Sequence, residues 1–584
     1  MGAERSFRSR LFAPVDVASL VFFRVAFGAL MLRELLWVYY AQGWVERYWI
    51  EPTFYFTYYG FGWVAPWPGY GMHLHFWALG ALALCILLGL WYRISAALFF
   101  LGFTYVFLLD QTQHLNHFYF ISLLSLLMVF VPAHRAFSVD ARRRPALRSD
   151  SAPAWTIGLL RFQIGIVYFF GGVAKLNADW LRGEPMRYHL AQSTDFPLLG
   201  RWFTEEWMVY FISYGGLLLD LFVVPFLLWR RTRPLAFAAA SAFHLINSRL
   251  FTISIFPWLM IAATTLYFSA DWPRRLVARW RPGARTREAP VTRAEAGSRV
   301  TLALLVAWVA VQTLLPLRYH VYPGDPSWTY EGHRFSWSMM LRSAVTRSRF
   351  FATDPVRQAT WEVDPLDYLT PAQADKMART PDMILQFAHH VADELRARGH
   401  ETIEVRAQVA MSLNGRRPQL LIDPAVDLAA QPRTLMPAPW ILPLEVPVTR
   451  TIGPGDLEAL VPLSAAEVND LGNALLEQGR PDEAIRHLRR ALQLDPSLVE
   501  AAYNLGIALA SQGELDEAIG HYRRAIEIDP DFAMAHNNLG AVLHSQGKLD
   551  EAIGHYREAL RLDPRNAEAQ NNLGLALGGG KKTR

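Results

Sequence analysis

Ionisable side chains inside long apolar runs are the first candidates for chemistry, because each costs about 2.5–3.5 kcal/mol at the centre of a bilayer on insertion scales. Arg24, Arg33, Glu34, Asp110, His114, His117, Lys175, Asp220 and His244 stand within such runs or at their ends. For most of them an ordinary neighbour pair or a satisfied bundle residue is the alternative reading. Lys175 differs because the chain has 52 arginines and only five lysines, the other four lying in polar sequence at Lys376, Lys548, Lys581 and Lys582. Where only positive charge is wanted the sequence places Arg, whereas an amine, unlike a guanidinium, gives up its proton when desolvated. An uncharged lysine in a dry site is a strong base. Tyr168, Gly171, Gly172 and Lys175 fall on one helix face, and the glycines leave room for a flat ligand beside the amine. The alternative is a snorkelling anchor at a helix end, with Asp179 one turn later. Spacing alone leaves both open.

The elements that must position these groups are apolar. With 52% apolar, 13% aromatic and 19% charged residues, the chain exceeds ordinary soluble composition. Nine stretches approach the roughly 20 residues a bilayer crossing requires: 17–40, 72–91, 94–109, 118–131, 154–175, 207–229, 235–245, 251–268 and 300–317. The seventh, the shortest, reads equally well as a re-entrant segment. If all nine cross, the loops on the N-terminal side hold twenty Lys/Arg and the opposite loops five, the asymmetry expected when cytoplasmic loops keep positive charge. Arg5, Arg8 and Arg10 lead directly into the first apolar run, so no cleavable signal peptide is expected. The aromatic first outer loop, Trp44 to Trp67, suits the headgroup level. A single cysteine, Cys85, excludes an internal disulfide and a thiolate metal cluster, and no metal is expected. The basic residues serve topology, so nucleic acid is not an expected partner.

Beyond His320 the pattern changes. Strand-like segments at 350–363 and 401–422, a turn at Asn414-Gly415 and an amphipathic helix over 371–398 predict a compact α+β domain. A proline-rich connector around 431–447 and Gly453-Pro454-Gly455 leads to an acidic tail, thirteen basic against eighteen acidic side chains over 464–584. That tail has a period of 34: Leu471-Gly472, Leu505-Gly506, Leu539-Gly540 and Leu573-Gly574, with Pro496, Pro530 and Pro564 ending each unit. It resembles the tetratricopeptide repeat, with three full repeats and a capping helix. The fold class read from the chain is therefore a polytopic α-helical membrane bundle of about nine transmembrane helices, an α+β domain and an all-α solenoid. Their expected limits are 1–318, 319–455 and 460–580.

Several runs, in order along about residues 15–430, resemble the vitamin K-dependent gamma-glutamyl carboxylase family. They are Phe23-Arg24-Val25, Leu90-Trp91-Tyr92-Arg93-Ile94-Ser95, Asn116-His117, Phe137-Ser138-Val139-Asp140, Gly172 through Trp180, Phe243-His244 with Asn247-Ser248, and Phe335-Ser336-Trp337-Ser338-Met339-Met340. The resemblance implies two coupled reactions. A base deprotonates reduced vitamin K, phylloquinol or menaquinol; reaction with O2 gives the epoxide and a strong base; that base removes the γ-proton of a peptide glutamate, whose carbanion takes up CO2. It implies Lys175 and His117 as catalytic residues, and Asn116, Tyr168, His244, Asn247, Phe335, Ser336 and Trp337 around quinol or glutamate. The implied partners are a lipid quinol, the membrane and a glutamate-containing protein that the repeats recruit. The Arg-rich, cysteine-poor composition points to a bacterial inner membrane, and the charge asymmetry of the loops puts the C-terminal domains on the extracytoplasmic side. The chain departs from the animal pattern at Ala174, where the family has a second lysine, and over Leu341-Arg342-Ser343. A quinol epoxidase without carboxylation, and a non-catalytic receptor that assembles partners on its repeats, are the other readings.

Overall fold

In hydrocarbon an apolar segment satisfies its own backbone only as a helix, and each of the nine apolar stretches falls on one. A computed structural model describes residues 7–251, 253–280, 298–448 and 456–579, and the chain divides into two units, Met1–Val461 and Pro462–Arg584. Arg5, most of the expected basic loop before residue 298, the Gly453-Pro454-Gly455 turn, Lys581 and Lys582 lie outside the described residues.

The bundle consists of α1 (Ala18–Arg33, continued by π-helical turns over Glu34–Ala41), α2 (Gly71–Leu88), α3 (Tyr92–Leu109), α4 (Asn116–Phe130) and α5 (Ala154–Ala174). It continues with α6 (Glu206–Leu228), α7 (Arg233–Leu250), α8 (Phe256–Thr264) and α9 (Arg299–Leu314). Among the described residues, five helices are long and apolar enough to cross a membrane by length and composition: α2, α3, α5, α6 and the helical stretch Arg299–Val321. The expected count of nine is larger because α1, α4 and α8 are short and α7 is diluted by polar residues. The segment read as the shortest is an 18-residue helix.

The loops sort into two ends. At one end Pro14–Asp16 pairs with Ser151–Pro153, Arg274 bridges Asp16 at 3.0 Å and Asp150 at 2.7 Å, and Asp140 accepts from the Trp91 and Tyr92 amides at 2.9 Å each. Gly89, at φ +64°, is required there, since a Cβ would lie 1.7 Å from Arg24 Nη1. At the other end the loops after α1, α3 and α5 meet the α+β domain. The first of these loops, expected to lie against the membrane, is partly taken up by the protein's own cores. Trp63 and Trp67 are exposed, but Phe56 is buried in the α+β core and Trp49 among bundle aromatics.

The α+β domain is a four-stranded antiparallel sheet, β1 (Ala344–Asp354), β2 (Ala359–Val363), β3 (Glu404–Leu413) and β4 (Gln419–Leu420), in the order β2-β1-β3-β4. Two helices, α10 (Pro371–Ala378) and α11 (Pro381–Ala397), replace the single one expected, because Pro381 has no amide hydrogen to continue α10 and instead starts α11. The apolar face of α11, with Ile384, Phe387 and Val391, joins Phe350, Val405 and Val409 of the sheet in one core.

Asp110 sits where the bundle meets this domain. It accepts from the Thr112 amide at 2.8 Å and from Gln373 Nε2 at 3.1 Å, while Lys376 donates to the Thr112 carbonyl. Burial outweighs these donors and raises the Asp110 carboxyl to about 6. A raised acid binds its proton more tightly folded than unfolded, so its contribution to stability is lost as pH rises from about 4 through about 6. Asp110→Asn should remove that slope: relative to wild type, the thermal midpoint of the variant in detergent rises between pH 4.5 and 6.5. An unchanged difference across that range contradicts this assignment.

The second unit is built of seven helices from Ala465–Glu477 to Ala567–Gly579, three pairs and a last single helix. In three of the four Leu-Gly pairs the glycine is required by close approach, and Gly574 of the last helix has open space around it. A Cβ at Gly472, Gly506 or Gly540 would meet Leu488, Tyr522 or Tyr556 at 2.7–2.8 Å.

Candidate functional site

The segment after α5 shows how a short sequence builds a site. Lys175 ends α5, and Asn177 Oδ1 accepts from the Trp180 amide at 2.9 Å, capping a one-turn helix that holds Asp179 and Trp180. The Trp180 indole donates to the Ser213 carbonyl of α6 at 2.9 Å, with its ring centroid 5.2 Å from Lys175 Nζ. Lys175 is 5% exposed. Its side-chain nitrogen donates to Asp220 Oδ2 at 2.6 Å and to the Gly171 carbonyl at 3.0 Å.

Two expectations are modified here. The amine does not stand alone in a dry site, because Asp220 is its buried ion-pair partner. The glycine face is also not free for a ligand. A Cβ at Gly172 would stand 2.8 Å from the Leu221 side chain, and one at Gly171 would stand 3.4 Å from Asp220 Oδ2 and 3.3 Å from Met339 Cε. The glycines instead bring α6 close enough to deliver Asp220.

Beside this pair lies a cavity of about 430 Å³, within the range of ligand sites. It brings together Lys175, Asp220, Tyr168, His244, Asn247, Asn116 and His117 from the bundle. Tyr168 OH lies 2.7 Å from His244 Nε2 and 3.4 Å from Thr264 Oγ1. Asn116 Nδ2 donates to the Ser338 carbonyl at 3.1 Å, tying α4 to the strap that enters the α+β domain. His114, His117, His189 and His244 all line the cavity, and each has one buried ring nitrogen without a partner. Phe243, Phe251, Phe256 and Met260 supply apolar wall. Burial, reinforced by Arg334 and other cations, holds His114 well below the usual imidazole range.

Phe335, Ser336 and Trp337 do not line this cavity; the next residues, Ser338 to Arg342, do. The physical reason is the backbone: Phe335, Trp337 and Met340 have φ of 61°, 61° and 59°, a left-handed conformation costly for bulky residues. These turns send Trp337 among Tyr119 and Phe120, send Phe335 against His114 and Tyr119, and leave Ser336 bonded to Ser338 Oγ at 2.8 Å. Sequence reasoning missed Trp180, His189, His333 and Arg342 as lining residues. Only the Gly172–Trp180 run carried a signal for any of them.

The α+β domain is locked to this site by Asp179. Arg416 binds both its carboxylate oxygens, at 2.6 and 2.8 Å, and Asn414 Nδ2 adds a third bond at 2.9 Å, all buried. Asn414 and Gly415 have φ of 52° and 75°, the left-handed pair at the centre of a tight turn that the Arg416 amide closes by donating to the Leu413 carbonyl at 3.1 Å, so the turn read from sequence also carries a latch.

The chain matches the HTTM domain over residues 12–272 and the vitamin K-dependent gamma-carboxylase lumenal domain over 297–446. Tetratricopeptide repeat families match 469–532, 521–554 and 542–579. Among solved structures, it is similar to MamA at 31% identity, covering 21% of this chain and 73% of that one with a TM-score of 0.21. It is also similar to the first TPR domain of human RPAP3 at 27% identity, covering 20% and 97% with a TM-score of 0.20. With the two domain matches running in order through bundle and α+β domain, and the repeats after them, the chain matches the vitamin K-dependent gamma-carboxylase family in domain order and carries a tetratricopeptide array besides.

Proposed function

We propose that this membrane protein is a gamma-glutamyl carboxylase that couples oxygenation of reduced vitamin K to CO2 addition on a peptide glutamate. The observation that carries the reading is the cavity itself, in which a lysine–aspartate pair, a tyrosine–histidine couple and unpartnered imidazole nitrogens meet a strap from the α+β domain. The unpaired nitrogens and aromatic walls fit a naphthoquinol, polar at its ring oxygens and apolar elsewhere. When bound, such a quinol supplies, with O2, a base strong enough for a glutamate γ-carbon.

The protein's own part is proton handling, orientation and exclusion of water. The Lys175–Asp220 pair receives a hydroxyl proton at Nζ, and Asp220 offsets the resulting charge. His244, fixed by Tyr168, keeps Nδ1 for the ligand. His117 Nε2 and Asn247 serve the glutamyl side, next to the strap that Asn116 holds. Phe243, Phe251 and Phe256 keep out water, which would protonate a carbanion before CO2 reached it. We place the α+β domain outside, since the loops after α1, α3 and α5 that it meets are the arginine-poor set if all nine helices cross.

The test is a paired assay on the purified protein with vitamin K hydroquinone, O2, labelled bicarbonate and a short glutamyl peptide. Epoxide together with labelled peptide is expected. Epoxide alone leaves an oxygenase, and neither product leaves a receptor. Tetratricopeptide repeats commonly bind peptides or proteins, so the tail is assigned to recruiting the glutamate-bearing protein. Deleting 464–584 should leave turnover of the short peptide within about twofold while raising KM for the native substrate about tenfold or more, as loss of a second binding module does. Equal use of both substrates by the truncated form refutes recruitment.

A further inference from the structure

A second cavity, of about 400 Å³, lies in the same unit and takes no part in the proton chemistry above. Its walls include Tyr58, Tyr59, Tyr322 and Tyr330, and three arginines reach it: Arg318, Arg334 and Arg433. Asp382 engages Arg433 through both oxygens, at 2.8 and 3.1 Å. Arg334 Nη1 stands 3.6 Å from that same carboxylate, while its Nε and Nη2 are buried without a partner. Arg318 has no carboxylate within ion-pair distance among the described residues, and its Nε is also buried and unpartnered. Glu331, the other acid in the wall, accepts from the Ala438 amide at 2.8 Å.

Three guanidiniums against two carboxylates leave uncompensated positive charge beside aromatic walls. Such charge is costly unless an anion answers it, and the planar guanidinium fork matches a carboxylate. The cavity also adjoins the first one. Tyr330 lines both, with Arg342 4.7 Å and Arg334 5.3 Å from its ring centroid, and Tyr58 OH lies 2.8 Å from His114 Nδ1.

We propose that Arg318 and Arg334 bind a carboxylate of the peptide substrate other than the one in the catalytic cavity, giving the protein a preference for clustered acidic residues. This rests on the carboxylase reading for the identity of the peptide. The same chemistry is offered by free bicarbonate or acetate, and the test separates these sources.

Full-length protein in detergent is titrated into fluorescein-labelled peptides bearing one glutamate, two glutamates, or two with the second as its γ-methyl ester. The diacid should bind about tenfold tighter than the other two, the scale of one charge-assisted hydrogen-bond pair. In Arg318→Gln and Arg334→Gln the ratio should fall to within about twofold, with Arg→Lys retaining part of it. Equal binding of diacid and ester by wild type overturns the proposal, whatever the folding of the variants. A preference that survives both glutamine variants overturns it too. Millimolar bicarbonate or acetate that displaces all three peptides equally assigns the cavity to a small free anion and also overturns it. Binding is read without turnover, so the preference persisting where no CO2 is fixed would fell the catalytic reading alone.

Discussion

Lys175→Ala is expected to abolish both epoxide formation and CO2 incorporation, by about a thousandfold or more, the upper range for losing a positioned general base. The reason is geometric as well as chemical: Lys175 is the amine that lines the cavity at the end of α5, and Asp220 lies 2.6 Å from it. The substitution also strands a buried carboxylate, at a cost of about 3–5 kcal/mol, so loss of activity alone would not separate chemistry from folding. Lys175→Gln combined with Asp220→Asn removes both charges while keeping a hydrogen-bonding pair. That double variant should recover most of the thermal midpoint and remain inactive. Small exogenous amines should restore part of the epoxidation in Lys175→Ala if its cavity stays open. Epoxidation at the wild-type rate in Lys175→Ala would remove this lysine from its assigned role.

Asp179→Ala should release the α+β domain from the bundle. Its carboxylate is held by Arg416 through two bonds and by Asn414 through a third, all buried, and removing one partner of such a pair costs about 3–5 kcal/mol. Carbonyls of Leu413 and Val446 still accept from Arg416, at 3.3 and 3.0 Å, so the guanidinium stays put with its charge unanswered. The expected readouts are a lower thermal midpoint and a rise in KM for glutamyl peptide larger than that for quinol. Limited proteolysis should also cut faster between residues 314 and 344, where α9 passes into β1. An unchanged midpoint and digestion pattern would show that the latch does not hold the domain.

Much of the architecture was legible because the hydrophobic signal is local: each apolar run falls on a helix, and the period of 34 is written in Leu-Gly and Asp-Pro. Lys175 was legible for a compositional reason, its rarity among arginines. Its partner was not, because Asp220 lies 45 residues away and reaches the amine only where Gly171 and Gly172 admit α6. Asp179 was read as a possible companion of Lys175, yet it faces Arg416, 237 residues on, and no spacing rule spans that distance. Phe335, Ser336 and Trp337 were placed at the site by resemblance. Their positive-φ turns put the aromatic rings behind the wall and leave the following residues to form it.

The glycine contacts of the tail carry a consequence for how this chain tolerates change. Gly506 meets Tyr522 and Gly540 meets Tyr556 sixteen residues later, so each snug fit closes inside its own module and none straddles a seam. Modules of this kind are interchangeable units of length. Insertion or excision of 34 residues in phase should therefore lengthen or shorten the array without unravelling it, whereas a shorter insertion between a glycine and its ring would set that ring against a side chain in the one module it interrupts.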